Sequence, residues 1–242
     1  MRRNILIPFL ESMLNTAKIF LAILFLGAGF PPHLLSSLKD TLVATQQTVT
    51  EWNLDALNKT GTAGVTKSGN PKTLQIAGKA AVQFDGIQDG IFLDRNPLAN
   101  LSRFTLEVFF RPDPKGPHEQ RFLHMGEATG SRMLLETRVT EDDQWYLDAF
   151  IKSGDSATTL IDKEKIHPIG PWYHIAFVVD GGTMDAYVDG VHELHGSVHF
   201  LPFSDGQTSI GVRMNKVSWF KGSIHRIRVT PQCLTPEQFM EH

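Results

Sequence analysis

Residues 170–190 read GPWYHIAFVVDGGTMDAYVDG, and this stretch decides the fold class of the chain. Apolar and aromatic residues fill two runs of strand length, which the pairs Asp180-Gly181 and Asp189-Gly190 follow. Asp-Gly pairs at the ends of such runs favour primed hairpin turns, because these residues tolerate the positive φ that the turns need. The stretch therefore predicts an antiparallel meander, but it indicates no reaction.

Short strand patterns recur along the rest of the chain from residue 48 onward. The clearest one alternates Phe104, Leu106, Val108 and Phe110 with Thr105, Glu107, Phe109 and Arg111. Pro112 ends this strand, and Thr235-Pro236 predicts one short helical turn near the end of the chain. These patterns predict an all-β protein, a two-sheet antiparallel β-sandwich with an N-terminal hydrophobic leader helix.

The first 32 residues have the pattern of an export signal. Residues 19–30 (IFLAILFLGAGF) carry no charge and follow Lys18. This apolar run suits a signal-peptide core and falls short of the roughly 20 residues needed to span a bilayer. We therefore expect a signal peptide or signal anchor over 1–32, a linker over 33–47 and one domain over 48–242. The protein is expected to be secreted or periplasmic, with a membrane contact only through an uncleaved leader.

Composition excludes two classes of function. The net charge of −3 comes without any basic stripe, and neutralising nucleic-acid phosphates requires one, so no nucleic-acid partner is expected. Cys233 is the single cysteine. It rules out an internal disulfide and a cysteine-based zinc cluster, and it is expected to be a small packed apolar residue.

Four sequence blocks, in this order, resemble the laminin-G-like domains of the concanavalin A-like lectin/glucanase superfamily. They are AVQFDGIQDGIFL (81–93), FTLEVFFRP (104–112), the hairpin WYHIAFVVD…YVDG (172–190) and FKGSIHRIRV…LTPEQF (220–239). The resemblance covers roughly residues 48–239. It implies a concanavalin A-like jelly roll of two curved antiparallel sheets, with ligands bound on the concave face or at the rim loops. It implies little about chemistry, because this fold hosts lectins, adhesion modules and polysaccharide-cleaving enzymes.

Catalysis of the usual glycosidase type is not expected. Retaining glycosidases of the superfamily carry acids in an E-x-D-x-E run, because alternation places the working carboxylates on one face of a strand. The chain has no such run: Glu107 has apolar neighbours, and Asp143 and Asp148 are spaced so that they would face opposite sides of a strand. We therefore predict a protein that is not an enzyme, with no catalytic residues.

Three aromatic residues are the candidates for carbohydrate binding: Trp145, Tyr146 and Trp219. Sugar sites pair an aromatic surface with polar groups, since a pyranose ring has an apolar C–H face. Trp145 and Tyr146 follow an acidic turn, and Trp219 precedes the closing strand. The alternative is that each of them covers an edge of the core.

No cofactor is predicted with certainty, and calcium is the one candidate. Some domains that this chain resembles hold calcium at the rim, and here Asp85, Asp89 and Asp94 are the candidate ligands. Ordinary turn aspartates explain the same residues equally well. The resemblance also departs from its pattern at His225-Arg226, where an acidic pair is frequent.

Histidines cluster at His192, His195 and His199. On a regular strand His192 and His195 would face opposite sides, whereas His195 and His199 would share one. A zinc site would then need a distant third ligand, so solvated or cross-strand histidines are the expectation.

These observations predict an exported, non-catalytic module that binds a glycan or a glycosylated surface through a concave sheet face or rim loops. Two alternatives stay open. One is a divergent polysaccharide-cleaving glycosidase or lyase of the same fold, with acids assembled from separate strands. The other is a structural or adhesive module that binds protein.

Overall fold

The computed structural model describes residues 48–241, which form two antiparallel sheets. The predicted leader over 1–32 and linker over 33–47 lie outside the described residues. None of the helices within 48–241 combines the length and the apolar character that crossing a membrane requires. The predicted all-β sandwich is confirmed.

Sixteen strands, one short α-helix and one 3₁₀ turn make up the described fold. In chain order they are β1 (Thr50–Asn53), α1 (Leu54–Leu57), β2 (Val65–Ser68), β3 (Lys72–Ile76), β4 (Lys79–Asp85), β5 (Gly90–Leu93), β6 (Arg103–Pro112), β7 (Glu119–Gly126), β8 (Arg132–Val139), β9 (Gln144–Ser153), β10 (Ser156–Ile161), β11 (His167–Pro168), β12 (Tyr173–Asp180), β13 (Thr183–Val188), β14 (Val191–Ser197), β15 (Gln207–Ile210), β16 (Lys221–Thr230) and the 3₁₀ turn Pro236–Gln238.

Each sheet has eight strands. The first sheet has the order β14-β13-β12-β6-β16-β4-β3, and β1 also pairs with β16. The second has the order β10-β9-β8-β7-β15-β5-β2, and β11 also pairs with β9. Neighbouring strands are often distant in sequence, as expected of a jelly roll, so each sheet face collects side chains from several parts of the chain.

The hairpin of β12 and β13 agrees with its sequence pattern, with one adjustment at its turn. Asp180 pairs with Thr183, so the turn residues are Gly181 and Gly182, whose φ angles are 58° and 116°. The next turn uses Asp189 and Gly190, with φ of 48° and 78°. Both turns thus have the two positive φ angles that match the twist of paired strands, although Asp180 itself ends the strand.

The core lies between the two sheets, and alternation decides which side chains enter it. On β6 the predicted set Phe104, Leu106, Val108 and Phe110 is buried in this core. The opposite side of the first sheet carries a smaller apolar cluster of Ala176, Val178 and Phe239, which the segment after β16 supplies in part. That C-terminal segment therefore covers part of the first sheet's outer face, with half-buried Cys233 packed in it as expected.

Candidate functional site

Trp145 does not lie where a sugar could stack on it. Its side chain is fully buried between the sheets, with its ring centroid 5.1 Å from that of Phe110 and 4.9 Å from that of Tyr173. The prediction of Trp145 as a sugar-binding aromatic is wrong in this structure. The reason is alternation: on β9 Trp145 faces the core with Leu147, and its neighbour Tyr146 faces outward.

Tyr146 lines a depression on the outer face of the second sheet. This tyrosine depression has a volume of about 730 Å³. Its lining residues are Gly116, His118, Val139, Thr140, Glu141, Asp143, Tyr146 and Lys163. It offers one aromatic side chain among polar and charged groups, which is the composition expected of a sugar site.

Trp219 lies elsewhere, in the loop before β16. It is half-buried, and a Cβ atom added to Gly90 would lie 3.4 Å from its ring. It lines neither the tyrosine depression nor the pocket described next. The structure therefore does not bring Trp219 together with Tyr146, and its role in binding stays a prediction.

The three candidate calcium ligands have other contacts. The Asp85 carboxylate accepts hydrogen bonds from the backbone N–H groups of Ile87, Gln88 and Asp89, at 2.8, 2.9 and 3.0 Å. Asp89 accepts one from the N–H of Asn70 at 2.7 Å. Asp94 lies against Gly64. Within the described residues these three aspartates do not form a group of ligand atoms within 4.8 Å of one another, and the contacts of Asp85 and Asp89 are those of turn capping, so calcium stays a prediction.

A second depression on the outer face of the second sheet is rich in arginine. This arginine pocket has a volume of about 210 Å³. Its lining residues are Arg121, Arg132, Leu134, Glu136, Arg138, Asp148, Phe150, Thr159 and Arg213. Strand geometry explains the clustering, because Leu134, Glu136 and Arg138 alternate along β8, and Tyr146, Asp148 and Phe150 alternate along β9.

The pairing of β8 with β9 places these residues directly opposite one another. Glu136 faces Asp148, Arg138 faces Tyr146, and Leu134 faces Phe150. Tyr146 and Asp148 are two residues apart on one strand, so the tyrosine depression and the arginine pocket lie side by side, about 7 Å apart along β9. They are lined by neighbouring outward-facing residues of β8 and β9.

Ion pairs hold most of the charged groups of the arginine pocket in place. Arg138 donates to Asp148 at 2.7 Å and lies 2.7 Å from Glu119 and 3.2 Å from Glu136. Arg121 donates to Glu136 at 2.9 Å and to Glu119 at 2.7 Å. These contacts connect three strands and fix the positions of the guanidinium groups.

Four buried atoms of this pocket have no hydrogen-bond partner in the described structure. They are Nε of Arg132, Nε of Arg213, Oε2 of Glu136 and Oδ1 of Asp148. The Arg132 guanidinium donates to the carbonyls of Thr129 and Gly130, both at 2.7 Å, and lies 5.1 Å from the centre of the Phe150 ring. Buried polar atoms are rarely left unpaired, so such a group points to a ligand or water.

Electrostatics in the pocket follow from burial and from charges of the same sign. Burial, and next the charge of Asp148, raise the pKa of Glu136 to about 7, although Arg121 and Arg138 pair with it. Burial lowers the pKa of Arg132, and the charges of Arg213 and Arg121 lower it further. Positive charge therefore exceeds negative charge here, because four arginines meet three acids and one acid is partly protonated near neutral pH.

His124 positions the loop that carries Arg213. One of its ring nitrogens lies 2.9 Å from the Glu127 carbonyl, and Nδ1 accepts a hydrogen bond from the N–H of Met214 at 3.1 Å. Burial lowers the pKa of His124 to about 4, and the nearby arginines lower it further. The ring is therefore neutral at physiological pH, which its acceptor role toward Met214 requires.

The sequence has no E-x-D-x-E run, but acids do gather from separate strands. Glu119, Glu136 and Asp148 meet around Arg138, on β7, β8 and β9. Glu107 is not among them: on the outer face of the first sheet it pairs with Arg228 at 2.6 Å and His174 at 3.1 Å. The sequence does carry a signal for the acid cluster. Glu136 and Arg138 on β8 and Asp148 on β9 are charged, outward-facing residues on either side of one short turn.

Comparison with known proteins identifies the family. The family model Laminin_G_3, described as the concanavalin A-like lectin/glucanases superfamily, matches residues 85–239. No curated protein matches the chain.

Three solved structures share the fold. Domain 4 of a GH43 extracellular arabinanase from Geobacillus stearothermophilus, in complex with arabinotriose, is 19% identical with a TM-score of 0.56, over 78% of this chain and 94% of that one. A heptameric SAP-like pentraxin from Limulus polyphemus is 18% identical with a TM-score of 0.52, over 66% and 79%. A botulinum neurotoxin serotype D ligand-binding domain in complex with N-acetylneuraminic acid is 14% identical with a TM-score of 0.52, over 72% and 43%. The chain belongs to the concanavalin A-like lectin/glucanase superfamily, as a laminin-G-like domain.

Proposed function

We propose that this protein is a non-catalytic glycan-binding domain and that its site is the arginine pocket together with the tyrosine depression. The observation that carries the proposal is the set of four buried polar atoms without a hydrogen-bond partner, on Arg132, Arg213, Glu136 and Asp148, in a pocket that ion pairs already hold in shape. Sugar hydroxyls both donate and accept hydrogen bonds, so a sugar ring can satisfy guanidinium and carboxylate atoms at once. A preformed site of this kind binds without a large ordering cost.

The charge of the pocket favours a glycan with acidic groups. The charge of Arg213 lowers the pKa of Arg132, after burial, and neither arginine has a carboxylate within ion-pair distance in the described structure. A carboxylate or sulfate bound between them would remove this repulsion and accept hydrogen bonds from their free N–H groups. Tyr146 would then pack against the apolar face of the next sugar ring along β9.

The comparisons support a glycan as the class of ligand. The arabinanase domain is titled in complex with arabinotriose, and the toxin domain in complex with N-acetylneuraminic acid, a sugar that carries a carboxylate. At identities of 19% and 14% these likenesses concern the fold, so the choice of an acidic glycan rests on the arginines.

A glycan array that contains neutral, uronate-bearing, sialylated and sulfated glycans tests this proposal. We expect retention of acidic glycans, and a loss of roughly tenfold or more in affinity for Arg213→Met. Arg103→Met is the matched control, because Arg103 is an exposed arginine on β6 that pairs with Asp180 at 3.4 Å. Retention of no glycan would contradict the binding function. Equal retention of neutral and acidic glycans would contradict only the acidic preference.

One observation favours the polysaccharide-cleaving alternative. A carboxyl group with a pKa near 7 beside a second carboxylate is typical of an acid–base catalyst, and Glu136 beside Asp148 has this arrangement. Against it, Arg138 holds Oδ2 of Asp148 through two nitrogens, at 2.9 and 2.7 Å, so the charge of this carboxylate is neutralised and it is a poor nucleophile or base. Incubation of retained glycans with the protein should give no new reducing or unsaturated ends. Chain cleavage that Glu136→Gln abolishes would establish the enzyme instead.

Export is a further part of the proposal and rests on the sequence of residues 1–32 alone. A laminin-G-like domain that binds acidic glycans would meet them outside the cytoplasm. Cell fractionation with an antibody against the domain is the test. We expect the protein outside the cytoplasm, and full-length chain in the soluble cytosolic fraction would contradict export.

A further inference from the structure

We propose that Asp185, His192 and His195 form a binding site for a divalent transition-metal ion such as Zn²⁺, at the β14 edge of the first sheet. One ligand atom from each of these residues lies within 4.8 Å of the others. Nε2 of His192 and Nδ1 of His195 each lie 2.8 Å from the same oxygen, Oδ1 of Asp185. Two imidazoles and one carboxylate are a donor set that suits Zn²⁺.

A β-bulge creates the site, and this is why the sequence predicted otherwise. In a regular strand His192 and His195 would face opposite sides. Here Ala186 pairs with Leu194 and Tyr187 pairs with His192, so Glu193 is an extra residue in β14. This bulge turns both histidines to the side of the sheet on which Asp185 lies, and Asp185 is the third ligand that the sequence did not indicate.

Contacts on both sides of the bulge hold it in place. The Glu193 carboxylate lies 3.1 Å from Nε2 of His167, which belongs to β11 of the second sheet. Leu194 is buried in the core. The ring of Tyr187 packs against that of His192, with 5.0 Å between ring centroids. The histidines are therefore positioned by packed neighbours and not by their own hydrogen bonds alone.

Two of the three donor distances need only a small adjustment to take a metal ion, and the two imidazole nitrogens lie within 4.8 Å of each other. Zn²⁺ with ligand bonds of about 2.0–2.1 Å places tetrahedral donor atoms about 3.3 Å apart, so the 2.8 Å contacts must open by about 0.5 Å. The side chains of His192 and His195 are 46% and 64% exposed, so they have the freedom to do this. Three protein ligands leave one coordination position open toward solvent, where a group from another molecule can bind.

Isothermal titration of the metal-free full chain with ZnCl₂ at neutral pH tests the site. We expect one ion bound per chain, with the affinity reduced roughly tenfold or more in Asp185→Asn and in His192→Ala. His199→Ala is the matched control, since His199 is an exposed histidine just after β14 that lies outside the cluster. It should bind Zn²⁺ as the wild type does.

Protonation of the histidines gives a second readout. Zn²⁺ and protons compete for the same imidazole nitrogens, so affinity should fall as the pH is lowered. Absence of saturable binding in the wild type would overturn the proposal, and so would an equal loss in His199→Ala. The site is on the opposite sheet from the arginine pocket, so these variants should leave glycan retention unchanged. Failure of either proposal is therefore visible without the other.

Discussion

The outer faces of the two sheets carry similar residues but differ in how their charges are paired. On the first sheet, the buried Glu107 carboxylate pairs with Arg228 and His174 and also accepts a hydrogen bond from the Met240 N–H. The C-terminal segment covers this cluster. On the second sheet, Arg132 and Arg213 line one pocket, and the Nε atom of each is buried without a hydrogen-bond partner.

This difference separates a structural cluster from a binding site. Burial raises the pKa of a carboxylate, yet hydrogen bonds from His174, Met240 and Arg228 lower that of Glu107 below its ordinary value. At Glu136, burial and next the charge of Asp148 raise the pKa. Its partner Arg138 also pairs with Glu119 and Asp148, so these contacts do not offset the burial. The Glu107 cluster satisfies its own carboxylate, whereas the pocket on the second face keeps buried polar atoms that a ligand can satisfy.

The largest effect is expected at Trp145, because it faces the core whereas its neighbour Tyr146 lies on the outer face of the second sheet. Trp145→Ala should lower the free energy of unfolding by about 4 kcal/mol, because a fully buried ring leaves a cavity against Phe110 and Tyr173. Tyr146 is on the outward side of the same strand and is 6% exposed, so Tyr146→Ala should cost less, about 2 kcal/mol, and weaken glycan retention. Denaturant unfolding measures both variants. Equal destabilisation would mean that Tyr146 is a core residue and not part of the site.

Arg228→Met tests the paired face and should have the next largest effect. It leaves the Glu107 charge buried without its guanidinium, which costs about 3 kcal/mol. Arg226→Met is the control on the same strand, because its contact with Glu51 is partly exposed and 3.7 Å long and is worth less than about 1 kcal/mol. Urea unfolding compares the two variants. A loss in Arg228→Met no larger than in Arg226→Met would contradict the structural role of the Glu107 cluster.

Glu136→Gln tests the unpaired face through pH. The pKa of Glu136 is raised in the folded protein, so the stability contributed by its protonated form is fully present below about 4.5 and lost as the pH rises through about 7. Glutamine stays neutral and avoids this loss. The variant should match the wild type at pH 4 and be more stable by about 2 kcal/mol at pH 8.

Unfolding curves over this pH range measure the difference. Glu141→Gln is the control, because Glu141 is exposed in the turn between β8 and β9. A variant that is less stable than the wild type at pH 8 would show that the ion pairs with Arg121 and Arg138 outweigh the cost of burying the Glu136 charge. The Glu136 carboxylate would then be satisfied as that of Glu107 is.

The fold could be predicted from sequence because its evidence is local. Alternation along β6 and the glycine pairs of the β12–β13 hairpin specify strands and turns without knowledge of their partners. The same local pattern does not indicate which side of β9 faces the core, so it cannot separate the buried Trp145 from Tyr146, whose role in binding stays a prediction.

The candidate sites depend on contacts that no short pattern contains. The arginine pocket needs the register that places Glu136 opposite Asp148, and it needs the loop that brings Arg213 to residues more than 60 positions earlier in the chain. The metal site needs one extra residue in β14. Register and bulges are set by packing of the whole sheet, and this is why they were not readable from spacing.

The smallest effect on stability is expected at Arg213, and it is the sharpest test of the difference between the two faces. Arg213 has a buried Nε without a hydrogen-bond partner, and the charge of Arg132 lies near it. Arg213→Met should therefore change the free energy of unfolding by less than about 0.5 kcal/mol, because the removed charge had repulsive neighbours and no ion-pair partner. Urea unfolding at low ionic strength measures this, since repulsion is then least screened. A loss as large as that of Arg228→Met would mean that Arg213 stabilises the fold, and the unpaired charge would no longer indicate a ligand.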